Sequence, residues 1–343
     1  MPELRQDPVT GRWVIIAGNR AERPEEYRRA PVVRVELDCP FCRGHESSTP
    51  REVAWYGPDP NASHRWEVRV VRNKYPALDL EGDGHGHPFV AERDDRSSAD
   101  APLFVVHPGY GRHEVVIESP QHVESFSELT DEQAYWTFTA YRDRLLAHQR
   151  DPALIAASVF QNVGPEGGAS LVHAHSQVLS LPDVPESLAR ELTGAKEFFS
   201  RHRGCVFCAM IQREGKLGIR VVAQTDRLIA LAPYASRFAY ETWILPREHS
   251  PSFEHADDAL LREAALLLKR VIWAVEQSLD RPAYNFYLHT APFDSKTYPH
   301  YHWHFEFFPR ISKAAGFEWC SGWHMNAVPP EVAASELRRR LEM

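Results

Sequence analysis

The stretch Gly167–Pro182, GGASLVHAHSQVLSLP, sets His173, His175 and Gln177 at every second position directly after a glycine-rich loop. In a β-strand, side chains two apart share a face. A strand here therefore aligns two imidazoles and one amide in a row. Such a row serves an ordinary half-buried strand, a metal site or a catalytic surface, and the surrounding sequence decides among them.

The surrounding sequence repeats itself. One part reads CPFC (Cys39–Cys42), a strand ending in ESPQH (Glu118–His122), a long helix, then HAHSQ (His173–Gln177). The other reads CVFC (Cys205–Cys208), a strand ending in LPREH (Leu245–His249), a long helix, then HYHWH (His300–His304). His122 and His173 are 51 positions apart, as are His249 and His300. The same order and spacing twice predicts two copies of one unit mixing helices and strands, residues 1–185 and 186–343.

Short β-branched and aromatic runs predict strands at Arg12–Ala17, His113–Ser119 and Tyr240–Pro246. Thr130 and Gln133 form a capping-box pattern that opens one long helix. A second runs from Asp257 to Leu279 on an apolar stripe, a third lies near Pro185–His202, and a short one closes the chain. The polar, glycine-rich stretch Gly82–Ala101 reads as a loop, with His85 and His87 facing solvent.

The chain has 343 residues, 43% of them hydrophobic and 25% charged, as in an ordinary soluble globular protein. There is no apolar run of membrane-spanning length and no signal-peptide core near the N-terminus, which reads as a cytoplasmic protein. With 39 basic against 47 acidic residues the net charge is −8. That sign argues against a general nucleic-acid binder, and any anionic ligand must be met by locally placed donors.

Four of the five cysteines form the two CxxC pairs. In a reducing compartment such pairs mean zinc or redox chemistry. Neither has a thioredoxin-like context and each is followed by matching histidines, which favours tetrahedral zinc. The expected sets are Cys39, Cys42, His122 and His173, and Cys205, Cys208, His249 and His300, giving two Zn2+ per chain. Cys320 has no partner and reads as a packed thiol.

With His173 turned to metal, His175 stays free on the same face, and Gln177 follows one step on. The preceding loop, QNVGPEGGAS (Gln161–Ser170), offers backbone N–H groups, Asn162 and Ser170 as a phosphate cradle. A neutral imidazole beside such a cradle is a nucleophile toward phosphorus. Gln177 can donate to a phosphoryl oxygen, yet carries no titratable proton with which to help water attack. The pattern favours transfer over hydrolysis.

HAHSQ resembles the HxHxQ signature of the galactose-1-phosphate uridylyltransferase family, the transferase branch of the histidine-triad superfamily, and the likeness covers nearly the whole chain. It implies an α+β fold of duplicated histidine-triad-like units, each an antiparallel sheet with helices, forming an open half-barrel. It implies His175 as the uridylylated nucleophile, His173 and His122 as zinc ligands, and Asn162 and Ser170 at the phosphates. RWVIIAGNRAERP resembles the family's N-terminal segment, implying phosphate contacts for Arg20 and Arg23. VRNKYPAL resembles its nucleotide-binding segment, placing Asn73 near ribose or base. Lys313 and Phe317 are implied as sugar-phosphate contacts, and the assembly as a homodimer that lends a C-terminal segment to the neighbouring site. Ala174 and Ser176 replace the family's proline and glycine. With the second CxxC and the ending GFEWCSGWHMN, they resemble a divergent branch whose members, such as ADP-glucose phosphorylase, act on ADP-sugars.

The expected activity is uridylyl transfer between UDP-glucose and a hexose 1-phosphate, in galactose metabolism, by a ping-pong route through a nucleotidyl-histidine. The alternatives are an ADP-sugar phosphorylase or adenylyltransferase using the same histidine, and a zinc-stapled nucleotide-binding module without turnover. A nucleotide hydrolase is disfavoured by Gln177.

Overall fold

The computed structural model describes residues 2–18, 39–59, 61–78, 109–294, 296–312 and 314–343. Arg20, Arg23, His85, His87 and Lys313 lie outside the described residues.

Strands β1 (Glu3–Gln6) and β2 (Trp13–Ile16) open the chain. The first unit follows as β3 (Glu52–Tyr56), β4 (Val68–Arg72), β5 (Arg112–Ile117), α1 (Asp131–His148), β6 (Ala156–Val163) and β7 (His175–Leu181). Helices α2 (Glu186–His202) and α3 (Val206–Leu217) lead to the second unit. That unit is β8 (Val221–Gln224), β9 (Leu228–Leu231), β10 (Thr242–Pro246), α4 (Asp258–Leu279), β11 (Tyr284–His289) and β12 (His304–Pro309). The chain ends with α5 (Gly316–Ser321), β13 (His324–Asn326) and α6 (Pro330–Leu341).

Both units share one ten-stranded sheet, ordered β3-β4-β5-β7-β6-β11-β12-β10-β9-β8. The order reads the same from either edge once each strand is replaced by its counterpart, so the duplication in the sequence is a pseudo-twofold in the sheet. Every paired neighbour in it is antiparallel. The sheet does not close. Helices α1 and α4 lie against each other on one face, and the opposite face holds a cavity near its centre, lined by Phe160, Leu179 and Tyr287 among others.

The helices form where the pattern predicts. Thr130 and Gln133 make both bonds of the capping box at the start of α1. Ala134, Phe138, Tyr141 and Leu145 then bury one stripe of that helix against the sheet. Phe138 stacks on Phe305 of β12 at 4.9 Å, tying the first unit's helix to the second unit's strand. The strand alternation does the complementary work. Ser176, Val178 and Ser180 of β7 face the helices, while His175, Gln177 and Leu179 face the open side.

A second, three-stranded sheet joins the two ends of the chain, with β13 parallel to β2 and β2 antiparallel to β1. Helix α3 begins within CVFC, with Cys205 at its cap, and has no α-helical counterpart at CPFC, where the backbone makes turns and a short 3-10 helix. Cys320, expected to be packed, is exposed on the surface of the short helix α5. No helix among the described residues is long and apolar enough to cross a membrane.

Candidate active site and metal centres

His175 is the first residue of β7, on the open face of the sheet. Its Nδ1 lies 2.7 Å from the carbonyl oxygen of His173, so the Nδ1–H donates and the Nε2 lone pair is left unprotonated. Burial lowers its pKa, which keeps the ring neutral. Phe41, from the CPFC turn, holds the ring edge-on at 5.2 Å. Gln177 pairs with Val115 of β5 and Phe160 of β6, and shares the face with His175.

The glycine loop is shaped for this place. Gly164 has a φ of 73°, and a Cβ there would come within 2.7 Å of the Ala283 side chain. Gln161 pairs with Ser176, and that register sets Asn162 beside His175 across the strands. Asn285 donates to Asn162 Oδ1 and to the Gly167 carbonyl, each at 2.8 Å, leaving the Asn162 amide NH2 turned outward. Ser170 is exposed in the loop just before β7. Asn73 reaches Gln177 indirectly: its amide nitrogen is 3.2 Å from His113 Nε2, and that same Nε2 is 2.8 Å from Gln177 Oε1. Phe317 sits half-exposed on α5, and no described contact ties it to His175.

Cys39, Cys42, His122 and His173 bring their ligand atoms within 4.8 Å of one another. His173 Nε2 donates to the Ser119 carbonyl at 2.9 Å, which turns Nδ1 toward the cysteines. Its Nδ1 is 3.5 Å from Cys39 Sγ and 3.6 Å from Cys42 Sγ, and His122 Nδ1 is 3.6 Å from Cys42 Sγ. Zinc bonds of 2.3 Å to sulfur and 2.0–2.1 Å to nitrogen at the tetrahedral angle give a sulfur–nitrogen separation of about 3.6 Å. The four residues fit the ion. Burial pulls the His173 pKa down to about 4, so the ring is neutral as a ligand must be.

In the second unit the fourth member is His302 and not His300. Cys205, Cys208, His249 and His302 lie within 4.8 Å, with Cys208 Sγ 3.5 Å from His249 Nδ1 and 3.7 Å from His302 Nδ1. His302 Nε2 donates to the Pro246 carbonyl at 2.8 Å, repeating the His173–Ser119 bond. Residues 299–303 do not belong to a strand, and His300 offers this cluster only its backbone oxygen, to Cys205 Sγ at 3.3 Å. HYHWH contains two HxH patterns, and the equal 51-residue spacing selects the wrong one, because the second unit carries two more residues in this connection. The thiol hydrogen bond of Cys205, then His302 and His249, pull Cys208 down to about 4.

Once HWHFE is aligned with HAHSQ, His304 corresponds to His175 and Glu306 to Gln177. His304 Nδ1 is 3.1 Å from the His302 carbonyl, the copy of the His175 bond. Yet His304 is 0% exposed where His175 keeps 8%, so on this shared face the first unit carries a reachable imidazole and the second does not. His304 and Glu306 instead gather with Glu191 and His289. Arg237 pairs with Glu306 and Glu241, and His289 with Glu191, so the buried charges are matched internally. This group and His113 escape a reading of the sequence, since neither carries a spacing signal of its own.

Residues 1–185 match the family model described as galactose-1-phosphate uridyl transferase, N-terminal domain. The chain belongs to the galactose-1-phosphate uridylyltransferase family. It is similar to the ADP-glucose phosphorylase of Arabidopsis thaliana, 32% identical over 342 residues, covering 98% of this chain and 92% of the relative. It is also similar to the galactose-1-phosphate uridylyltransferase of Thermotoga maritima, 26% identical, with 98% of each chain covered. Among solved structures, the Arabidopsis ADP-glucose phosphorylase with bound ADP-glucose superposes with a TM-score of 0.83 at 32% identity, covering 98% of each chain. A uridylyltransferase structure superposes at 0.74 and 27% identity, covering 100% and 99% of the two chains. Family membership over the full length makes this chain an enzyme of the nucleotidyl-transfer class.

Proposed function

We propose that the chain transfers a nucleoside monophosphate from a nucleoside diphosphate sugar by way of a covalent bond to His175. The observation that carries this reading is a neutral imidazole with a free Nε2, set between a glycine loop and an amide on the open face of the sheet. Nε2 attacks the phosphorus that bears the nucleoside, and the phosphorus–oxygen bond to the sugar phosphate breaks. The sugar 1-phosphate leaves with that electron pair. An acceptor phosphate oxygen then attacks the same phosphorus, the phosphorus–nitrogen bond breaks, and Nε2 regains its lone pair. The N–H groups of the Gln177 and Asn162 amides stabilise the charge that builds on the phosphoryl oxygens.

Zinc bound by Cys39, Cys42, His122 and His173 would act as a rigid tetrahedral anchor at the entrance of β7. His173 hands that rigidity to His175 through its own carbonyl, two residues away. Cys205, Cys208, His249 and His302 would hold a second ion in the same way. The exposed Phe317 and Trp319 on α5, away from any described contact with His175, fit a homodimer in which α5 completes the neighbouring site.

For the donor and acceptor, the family model and the uridylyltransferase relatives support UDP-glucose and a hexose 1-phosphate, as in galactose metabolism. A specific observation favours a second reading, an adenylyl donor: the relative and the structure at 32% identity are both ADP-glucose phosphorylases. Incubation with UDP-glucose and with ADP-glucose separately, scoring glucose 1-phosphate release with and without added galactose 1-phosphate or inorganic phosphate, separates the two. Release from UDP-glucose that needs a hexose 1-phosphate acceptor for turnover supports the first. Release from ADP-glucose driven by inorganic phosphate supports the second, and no release from either donor refutes both.

A further inference from the structure

His113 stands on β5, on the same open face as His175 and Gln177, since it pairs with Leu179 while Val115 pairs with Gln177. Its Nδ1 receives the backbone N–H of Ala77 at 3.1 Å. A backbone N–H only donates, so Nδ1 carries no proton, and in the neutral ring the proton is then on Nε2. That Nε2 is 2.8 Å from Gln177 Oε1, and its N–H donates to the amide oxygen. Asn73 does not compete with Gln177 as acceptor: the atom it sets 3.2 Å from Nε2 is its amide nitrogen, which only donates and makes no bond to a protonated Nε2, while its Oδ1 is turned to the Tyr75 N–H at 2.9 Å. The Asn73 backbone N–H donates to the His113 carbonyl at 2.8 Å, so the segment after β4 clamps His113 by both ring and backbone.

The consequence falls on Gln177. A primary amide can face the phosphoryl group with either end, and only its NH2 end stabilises negative charge; the oxygen end repels it. We propose that His113 is a positioning residue, whose tautomer is set by the Ala77 N–H and which fixes the Gln177 amide with its NH2 toward the transferred phosphoryl group. The inference rests on the transfer at His175 proposed above and assigns what makes its charge-stabilising amide one-directional.

The test combines turnover with a readout that a merely structural role would not move. Single-turnover release of glucose 1-phosphate is measured with UDP-glucose and, separately, ADP-glucose. His113→Ala should slow it about ten- to hundredfold, less than the hundred- to thousandfold of deleting an oriented donor itself, with KM and zinc content unchanged. His113→Gln, which can place an amide N–H where Nε2 stood, should restore most of the rate. In a Gln177→Ala background, His113→Ala should cost nothing further. An equal loss in both backgrounds overturns the proposal, as does no loss in the wild-type background. Nitrogen NMR of His113 in the wild-type chain reads the tautomer without turnover. A proton on Nε2 supports the clamp, and a proton on Nδ1 overturns it. If neither donor reacts with the wild-type chain, the transfer reading falls while the NMR result still decides the tautomer.

Discussion

Replacing Glu118 by Gln should remove a pH-dependent loss of stability built into the back of the catalytic strand. Glu118 is fully buried behind β7, where Tyr141 donates to it at 3.1 Å and Gln161 at 2.5 Å, and Tyr141 also bonds Ser176 at 2.7 Å. Among the described residues no cation bonds this carboxyl, and burial pushes its pKa up from the ordinary 4.5 to about 7. Across that window the folded chain keeps a proton that the unfolded chain has released. Stability from this group is therefore complete below pH 4.5, falls as pH rises, and levels off above 7. At 1.36 kcal/mol per pH unit the full loss is about 3 kcal/mol, of which roughly 2 to 3 kcal/mol falls between pH 5 and 8. Glu118→Gln keeps the shape and stays neutral throughout. The assay is urea unfolding of both zinc-loaded chains at pH 5 and pH 8, taking the difference between chains so that other titrating groups cancel. The variant should gain on the wild type by that amount as pH rises. A difference that stays constant over this range refutes the claim that Glu118 is protonated in the folded state near neutrality.

His302→Ala should lower bound zinc by about one ion per chain, since one ligand of four is lost, while His300→Ala should leave the content intact; metal analysis of both variants reads the outcome, and the reverse result would restore His300 as the ligand. Gln177→His should slow transfer by roughly hundred- to thousandfold, as for loss of an oriented donor, and send more of the nucleotidyl intermediate to water. Preloading with UDP-glucose or ADP-glucose and comparing free nucleoside monophosphate with transferred product measures that partition. An unchanged partition would mean that the shape of the site, and not the amide, excludes water.

The parts of the fold carried by local signals are the parts legible in the sequence. Thr130 and Gln133 announce the start of α1, the CxxC pairs announce the two Cys/His groups that could hold a metal ion, and the repeat announces the palindromic sheet. What stays hidden depends on register or on contacts between distant segments. His302 and His300 are both the first histidine of an HxH pattern, and contacts between distant segments tell them apart: His302 reaches Cys208 and bonds the Pro246 carbonyl, the copy of His173 to Ser119. The sheet β1-β2-β13 joins the two ends of the chain, so no window of sequence contains it. His113 owes its place to a backbone N–H thirty-six residues upstream, which has no signature in residue type. Glu191 joins His289, His304 and Glu306 from the middle of a helix, where a glutamate is an ordinary surface residue in the sequence and is buried in the structure.

The central claim is that a nucleoside monophosphate is carried on His175. The most direct measurement is mass spectrometry of the intact chain and its peptides after brief incubation with UDP-glucose and, separately, ADP-glucose, without acceptor. One of the donors should add one nucleoside monophosphate, released by acid and located on the peptide containing His175, and His175→Ala should abolish it while zinc content holds. Turnover with no covalent nucleotide, or a nucleotide mapped to any other residue, would contradict the account.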